Sequence, residues 1–164
     1  MNSLMHQLVI ATAMVSATVV IHLVGLDLLQ LTLRWHIDRW TGWIHLDRMI
    51  VPLGIVLGLF ILHGAEIWLY ALLYWGTGVI AGVDLALYVS IGAYSTLGEA
   101  GTVLPPQWRI VGALEAINGM LLIGWSTAFL FQILRHIMWD DEEAIALPRG
   151  AIARRTSPAK PAGD

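Results

Sequence analysis

The residues in this chain able to do chemistry are few, and they stand in apolar surroundings. His63 and Glu66 lie three apart in LFILHGAEIWLY, a spacing that puts both on one face of a helix. An imidazole and a carboxylate there suit a proton relay or a metal site. Two ligands make a weak metal case, however, and bonding to a neighbouring helix is the favoured reading. Glu115 and Asn118 repeat the spacing in ALEAINGM, whereas His22 and Asp27 are five apart and share no face. Glu99 stands in STLGEAG, a short polar and glycine-containing run. With Cys 0 there is no disulfide framework, thiolate metal site or cysteine nucleophile. No other nucleophile occupies a recognisable turn, so no catalytic residue is assigned and the chain reads as a non-enzyme. Axial haem ligands sought among His22, His63 and His136 lack an attachment context, so no cofactor is expected.

The elements that must position these groups follow from hydropathy. Of 164 residues, 57% are hydrophobic and 13% charged, with mean hydropathy +0.71, which indicates a membrane protein. The net charge of −3 gives no electrostatic footprint for nucleic acid. An apolar run over 8–33 has no basic start, so it reads as a retained transmembrane helix rather than a cleaved leader. The segment 34–48, RWHIDRWTGWIHLDR, interleaves Trp with charge and reads as an interfacial amphipathic connector. A second span covers 49–75 and breaks at Gly76-Thr77-Gly78. The apolar piece from Asp84 to Tyr94, with Asp84 as the expected N-cap, is too short to cross and reads as re-entrant. A third span begins at Arg109 and reaches the acidic run Asp140 to Glu143, which is read as a solvated face; beyond it lies a tail without periodicity, expected to be disordered.

Charge orients this arrangement. Arg34, Arg39, Arg48, Arg135, Arg149, Arg154, Arg155 and Lys160 fall on one side of three spans, and Arg109 alone on the other. The positive-inside rule then puts the N-terminus outside and the C-terminus in the cytoplasm, in a multi-pass protein of the plasma membrane. So small a bundle rarely encloses a pathway by itself, so oligomerisation is expected.

The stretches ALYVSIGAYSTLGEAG, TVLPPQWR and ALEAINGMLLIGWSTAFLF resemble the pore module of small bacterial potassium-channel-type proteins, over about 66–137. The resemblance implies an all-α membrane protein with three transmembrane helices plus a re-entrant pore helix and filter loop, assembled as a homotetrameric pore. It divides the chain into an N-terminal span (1–33), the connector (34–48), the pore module (49–139) and the acidic segment with its tail (140–164). Within the module it implies an outer helix at 49–75, a pore helix at 84–95, a filter at 96–101 and an inner helix at 109–139. The family's filter reads T-x-G-Y-G-D, whose carbonyls replace an ion's hydration shell. Thr96, Leu97 and Gly98 match its first three positions; Glu99, Ala100 and Gly101 do not match the last three.

Each departure has a consequence. Ala100 in a left-handed conformation costs on the order of 1–2 kcal/mol, so the outer carbonyl ladder is not expected to form. Glu99 makes the motif similar to the Thr-x-Gly-Glu filter of cyclic-nucleotide-gated channels, and four-fold symmetry would converge four carboxylates as a metal-binding ring; the alternative is that Glu99 turns sideways into a bonded pair behind the loop. The implied activity is weakly selective or calcium-permeable cation conduction, with K⁺, Na⁺ or Ca²⁺ in the filter; the alternative is a non-conducting channel-like scaffold. Glu115 and Asn118 are read as a filter brace or as simple inter-helix bonds. Gly119 and Gly124 are read as a gate hinge or as packing residues. The expected partners are three further copies and the lipid bilayer, with no nucleic acid.

Overall fold

Apolar residues continuous enough to bury a backbone in lipid must satisfy its hydrogen bonds internally, and this chain does so with helices. In the computed structural model residues 2–39, 47–98 and 103–146 are described, with side chains over 4–35, 50–98 and 103–135. The elements are α1 (Asn2–Arg39), α2 (Asp47–Gly76), α3 (Val83–Tyr94), a 3-10 turn (Pro106–Trp108) and α4 (Arg109–Ala146). No strand occurs among the described residues. Three segments, Leu4–Trp35, Ile50–Gly76 and Pro106–Arg135, are long and apolar enough to cross a membrane. The chain divides into two compact units, Met1–Leu130 and Phe131–Asp164, and the contacts below lie within the first.

The element boundaries differ from the hydropathy boundaries for a common reason. Arg34 to Arg39 continue α1 and Asp47 opens α2, so these ends of the expected connector are helical; residues 40–46 lie outside the described residues. The run Asp140 to Glu143 likewise sits inside α4, while the expected tail from 147 lies outside the described residues. A switch from apolar to charged side chains marks where lipid ends. It does not interrupt i to i−4 backbone bonding, which charged residues sustain as well. At α3 the N-cap is Gly82 rather than Asp84: Gly82 has φ 145, a conformation that Cβ-bearing residues avoid, and its carbonyl accepts from Ala86 N at 3.0 Å. Asp84 falls in the first turn, where its charge complements the helix dipole.

Small residues set the helix spacing. A Cβ on Gly25 would meet Leu62 Cδ1 at 2.3 Å, and one on Gly58 would meet Leu29 Cδ1 at 2.6 Å, so α1 and α2 interlock reciprocally. α3 packs against α2 around Tyr70, Ala71, Tyr74, Ala86, Val89 and Ala93, all buried. The first turn of α4 leaves N–H groups without helical acceptors, and Gln7 of α1 takes one: Ile110 N donates to Gln7 Oε1 at 3.3 Å.

At Gly119 α4 lies against the end of α3. A Cβ there would lie 2.4 Å from the Tyr94 carbonyl oxygen and 3.0 Å from Tyr94 Cα, atoms of the backbone that cannot rotate away. A Cβ on Gly124 would meet nothing within 4 Å. Gly119→Ala is therefore expected to destabilise the protein by about 1–3 kcal/mol through overpacking. Gly124→Ala should stabilise it by about 0.5–1 kcal/mol through helix propensity. Thermal unfolding of the two variants in one detergent measures the contrast, and equal shifts would refute it.

Candidate functional site

The end of α3 shows what sequence spacing alone could not. α2 terminates with Gly78 N bonded to Trp75 O at 3.0 Å and Val79 N bonded to Tyr74 O at 3.0 Å, with Gly78 left-handed at φ 71. This is the Schellman ending, and glycine suits its left-handed position. α3 ends in the same pattern: Thr96 N donates to Ala93 O at 3.0 Å and Leu97 N to Gly92 O at 2.9 Å. Here the left-handed position, φ 62, holds Thr96, the one non-glycine with positive φ among the described residues. A β-branched residue in this conformation is strained by about 1–2 kcal/mol. Strain of this kind is retained where neighbouring structure imposes it and clusters at functional sites.

The ending leaves a distinctive surface. Ser95, Thr96, Leu97 and Gly98 are exposed, Leu97 at 74% despite being apolar, and Gly98 is left-handed at φ 86. The N–H groups of residues 95 to 97 are committed to helix carbonyls. Among the described residues no backbone N–H outside the helices bonds a carbonyl of 95–98. These oxygens continue the C-terminal end of α3, where the helix dipole adds partial negative charge, a setting that attracts cations. A cleft of about 230 Å³ adjoins the loop, lined in part by Thr96, Gly98 and Leu104 and, from α4, by Arg109 and Ala113. Glu99, Ala100 and Gly101 lie outside the described residues.

Behind the loop runs a polar interior. Glu115 of α4 is fully buried and accepts from Tyr74 Oη at 2.6 Å; Ser90 of α3 shares its proton between Glu115 Oε1 at 2.6 Å and the Ile67 carbonyl at 2.9 Å. One carboxylate thus ties α2, α3 and α4 together. Asn118 reaches the other way, donating from Nδ2 to Thr18 Oγ1 of α1 at 2.8 Å. Glu115 and Asn118, read as neighbours on one face, therefore bond to different helices.

A second carboxylate, Glu66, is also fully buried and binds three partners. His22 Nδ1 of α1 lies 2.8 Å from Glu66 Oε1, and His63 Nδ1 lies 3.2 Å from Oε2. Tyr94 donates its hydroxyl to Oε2, and that hydroxyl lies 2.8 Å from His63 Nδ1. His22 Nε2 is 3.3 Å from Ser126 Oγ of α4. The expected His63–Glu66 pair is present, but it is half of a cluster whose second imidazole nitrogen comes from His22, 44 positions away in sequence. Tyr94, Tyr74, Ser90 and Ser126 were not singled out from sequence. The available signal was the four-residue repeat of polar positions: Thr18 and His22, Glu66, Tyr70 and Tyr74, Ser90 and Tyr94.

Tyr70, also buried, has a hydroxyl with no hydrogen-bond partner among the described residues. Tyr70→Phe is expected to leave stability unchanged or raise it. Tyr74→Phe strips a donor from buried Glu115 and should cost about 1–3 kcal/mol. Chemical denaturation of both variants in mixed micelles checks the pair. Compared with known proteins, the chain matches no family model, no curated protein and no solved structure.

Proposed function

We propose that this chain supplies one quarter of a homotetrameric cation channel of potassium-channel-like architecture, weakly selective or calcium-permeable. The observation that carries the reading is the loop 95–98: a strained Thr96 and a left-handed Gly98 at the C-terminus of a short helix, with carbonyl oxygens free of described backbone donors. α3 has 12 residues, about 18 Å, against a hydrocarbon core of about 30 Å. A helix that enters and stops part-way needs protein or water around the loop that follows. Four loops around an axis meet that need and bring their oxygens together for ions to cross.

In this reading Thr96, Leu97 and Gly98 provide the inner coordinating oxygens, and Glu99 contributes a ring of four carboxylates at the outer mouth. Such a ring holds a cation or takes up protons, because like charges at short range cannot all remain ionised. Ca²⁺ suits it, since it accepts six to eight oxygen ligands. Glu115 acts as the brace: bonded to Ser90 and Tyr74, it fixes the back of the pore helix. The orientation that fits the basic residues places the N-terminus outside the plasma membrane and the C-terminus within. Exposed apolar side chains such as Phe60 (79%) and Ile61 (74%) face lipid or neighbouring copies.

Reconstitution in liposomes with measured reversal potentials tests this. The full chain should pass monovalent cations with divalent permeation or block, and Glu99→Gln should change that preference. Thr96→Gly separates strain from function: relief of the left-handed Thr, less the entropy of an added glycine, should raise stability by roughly 0.5–1 kcal/mol. The same change should alter conductance, because the threonine is lost from the ion path. No flux under any cation gradient, or a chain that runs as a monomer, would overturn the reading and favour a non-conducting scaffold.

A further inference from the structure

We propose that His22, His63 and Glu66 form a binding site for a divalent transition-metal ion of the zinc class, buried among α1, α2 and α3. One ligand atom from each residue lies within 4.8 Å of the others, with the two imidazole nitrogens 2.8 and 3.2 Å from the carboxylate. Zinc bonds to nitrogen and oxygen at about 2.0–2.2 Å, which separates two ligands of a tetrahedral ion by roughly 3.3 Å. Both imidazole-to-carboxylate distances, 2.8 and 3.2 Å, fall a little short of that value. Closing the wider separation asks for side-chain shifts on the order of 1 Å.

The donor set selects the metal. Two imidazoles and one carboxylate suit zinc, copper, iron or nickel better than the hard cations of an oxygen-lined pore. The surrounding groups also match what a metal site requires. A histidine that binds metal through Nδ1 carries its proton on Nε2, and His22 Nε2 faces Ser126 Oγ at 3.3 Å as acceptor. Tyr94 orients the Glu66 carboxylate by a hydrogen bond to Oε2, so that Oε1 faces His22 and Oε2 faces His63. Binding moves the Nδ1 proton of each ring to Nε2, so no net proton release is needed where both rings start neutral.

Charge and access agree. The described partners of the Glu66 carboxylate are two imidazoles and a phenol, with no lysine or arginine among them. A carboxylate in a membrane interior calls for a cation. His22 and Glu66 are fully buried, whereas the His63 side chain is 18% exposed, so an ion enters past His63 and meets the buried ligands behind it. The site adjoins the residue that ends α3, directly before the loop at 95–98.

The full-length chain, freed of any affinity tag, stripped with chelator and held in lipid nanodiscs, is titrated with Co²⁺ and then Zn²⁺. One Co²⁺ per chain should bind with the visible bands of a tetrahedral centre, and Zn²⁺ should displace it. His63→Gln, which keeps a polar group at the partly exposed ligand, should abolish the bands, and Tyr94→Phe should weaken binding about 10–100-fold. Zinc-edge X-ray absorption on the unsubstituted protein, which depends on no variant folding, should resolve two imidazole nitrogens and carboxylate oxygen. Absence of saturable binding, an absorption spectrum without imidazole, or unchanged binding in a folded His63→Gln protein would each overturn the assignment.

Discussion

Everything in this bundle answers to one constraint: two carboxylates are buried in helices that are otherwise apolar, and each must be satisfied by side chains from other helices. Lipid offers no hydrogen bonds, so the only partners are those the fold supplies. Glu66 gathers His22 from α1, His63 from its own helix and Tyr94 from α3. Glu115 gathers Tyr74 from α2 and Ser90 from α3. Gly25, Gly58 and Gly119 let the helices approach closely, and the buried polar groups add to the choice of which faces meet. A quarter-turn rotation of a helix would strand a buried carboxyl group without its partners.

α3 is the element most firmly held by this arrangement. Ser90 and Tyr94, one turn apart, bind the two carboxylates, and Gly119 lets α4 touch the Tyr94 backbone. A helix of twelve residues contributes little stability of its own, since nucleation is unfavourable and few bonds follow. Anchored at both polar positions, it can present its last turn in a conformation the sequence would not choose. That is how Thr96 is kept left-handed where Gly78, at the equivalent position of α2, adopts the same conformation with little strain.

How much of this was legible beforehand depended on the range of the interaction. The three apolar spans were readable because hydropathy is a sum over one contiguous stretch. Their ends were not, because Arg34 to Arg39 leave the lipid register without leaving the helix. His63 and Glu66 were readable as a pair because they share a face, whereas Glu115 and Asn118, at the same spacing, bond to different helices. His22 was compared with Asp27, its neighbour along the chain, when its partner is Glu66 across the bundle. The end of α3 at Tyr94 was readable from the STLGEAG run that follows, but residue propensities point away from a left-handed threonine, so the conformation of Thr96 was not.

The two polar centres differ in a way that bears on what each can do. Glu115 is bonded by two hydroxyl groups, Tyr74 of α2 and Ser90 of α3, which makes it a strut between helices. Glu66 is surrounded by imidazoles, which can donate, accept or bind a metal as their tautomers change. Both centres end on α3, one at its middle and one at its last residue. A change of state at Glu66 would act through Tyr94 on the residue next to Ser95, while Glu115 holds the rest of the helix in place. The geometry therefore fixes α3 at its middle through Glu115 and at its last residue through Glu66 and Gly119, and the exposed loop begins directly after.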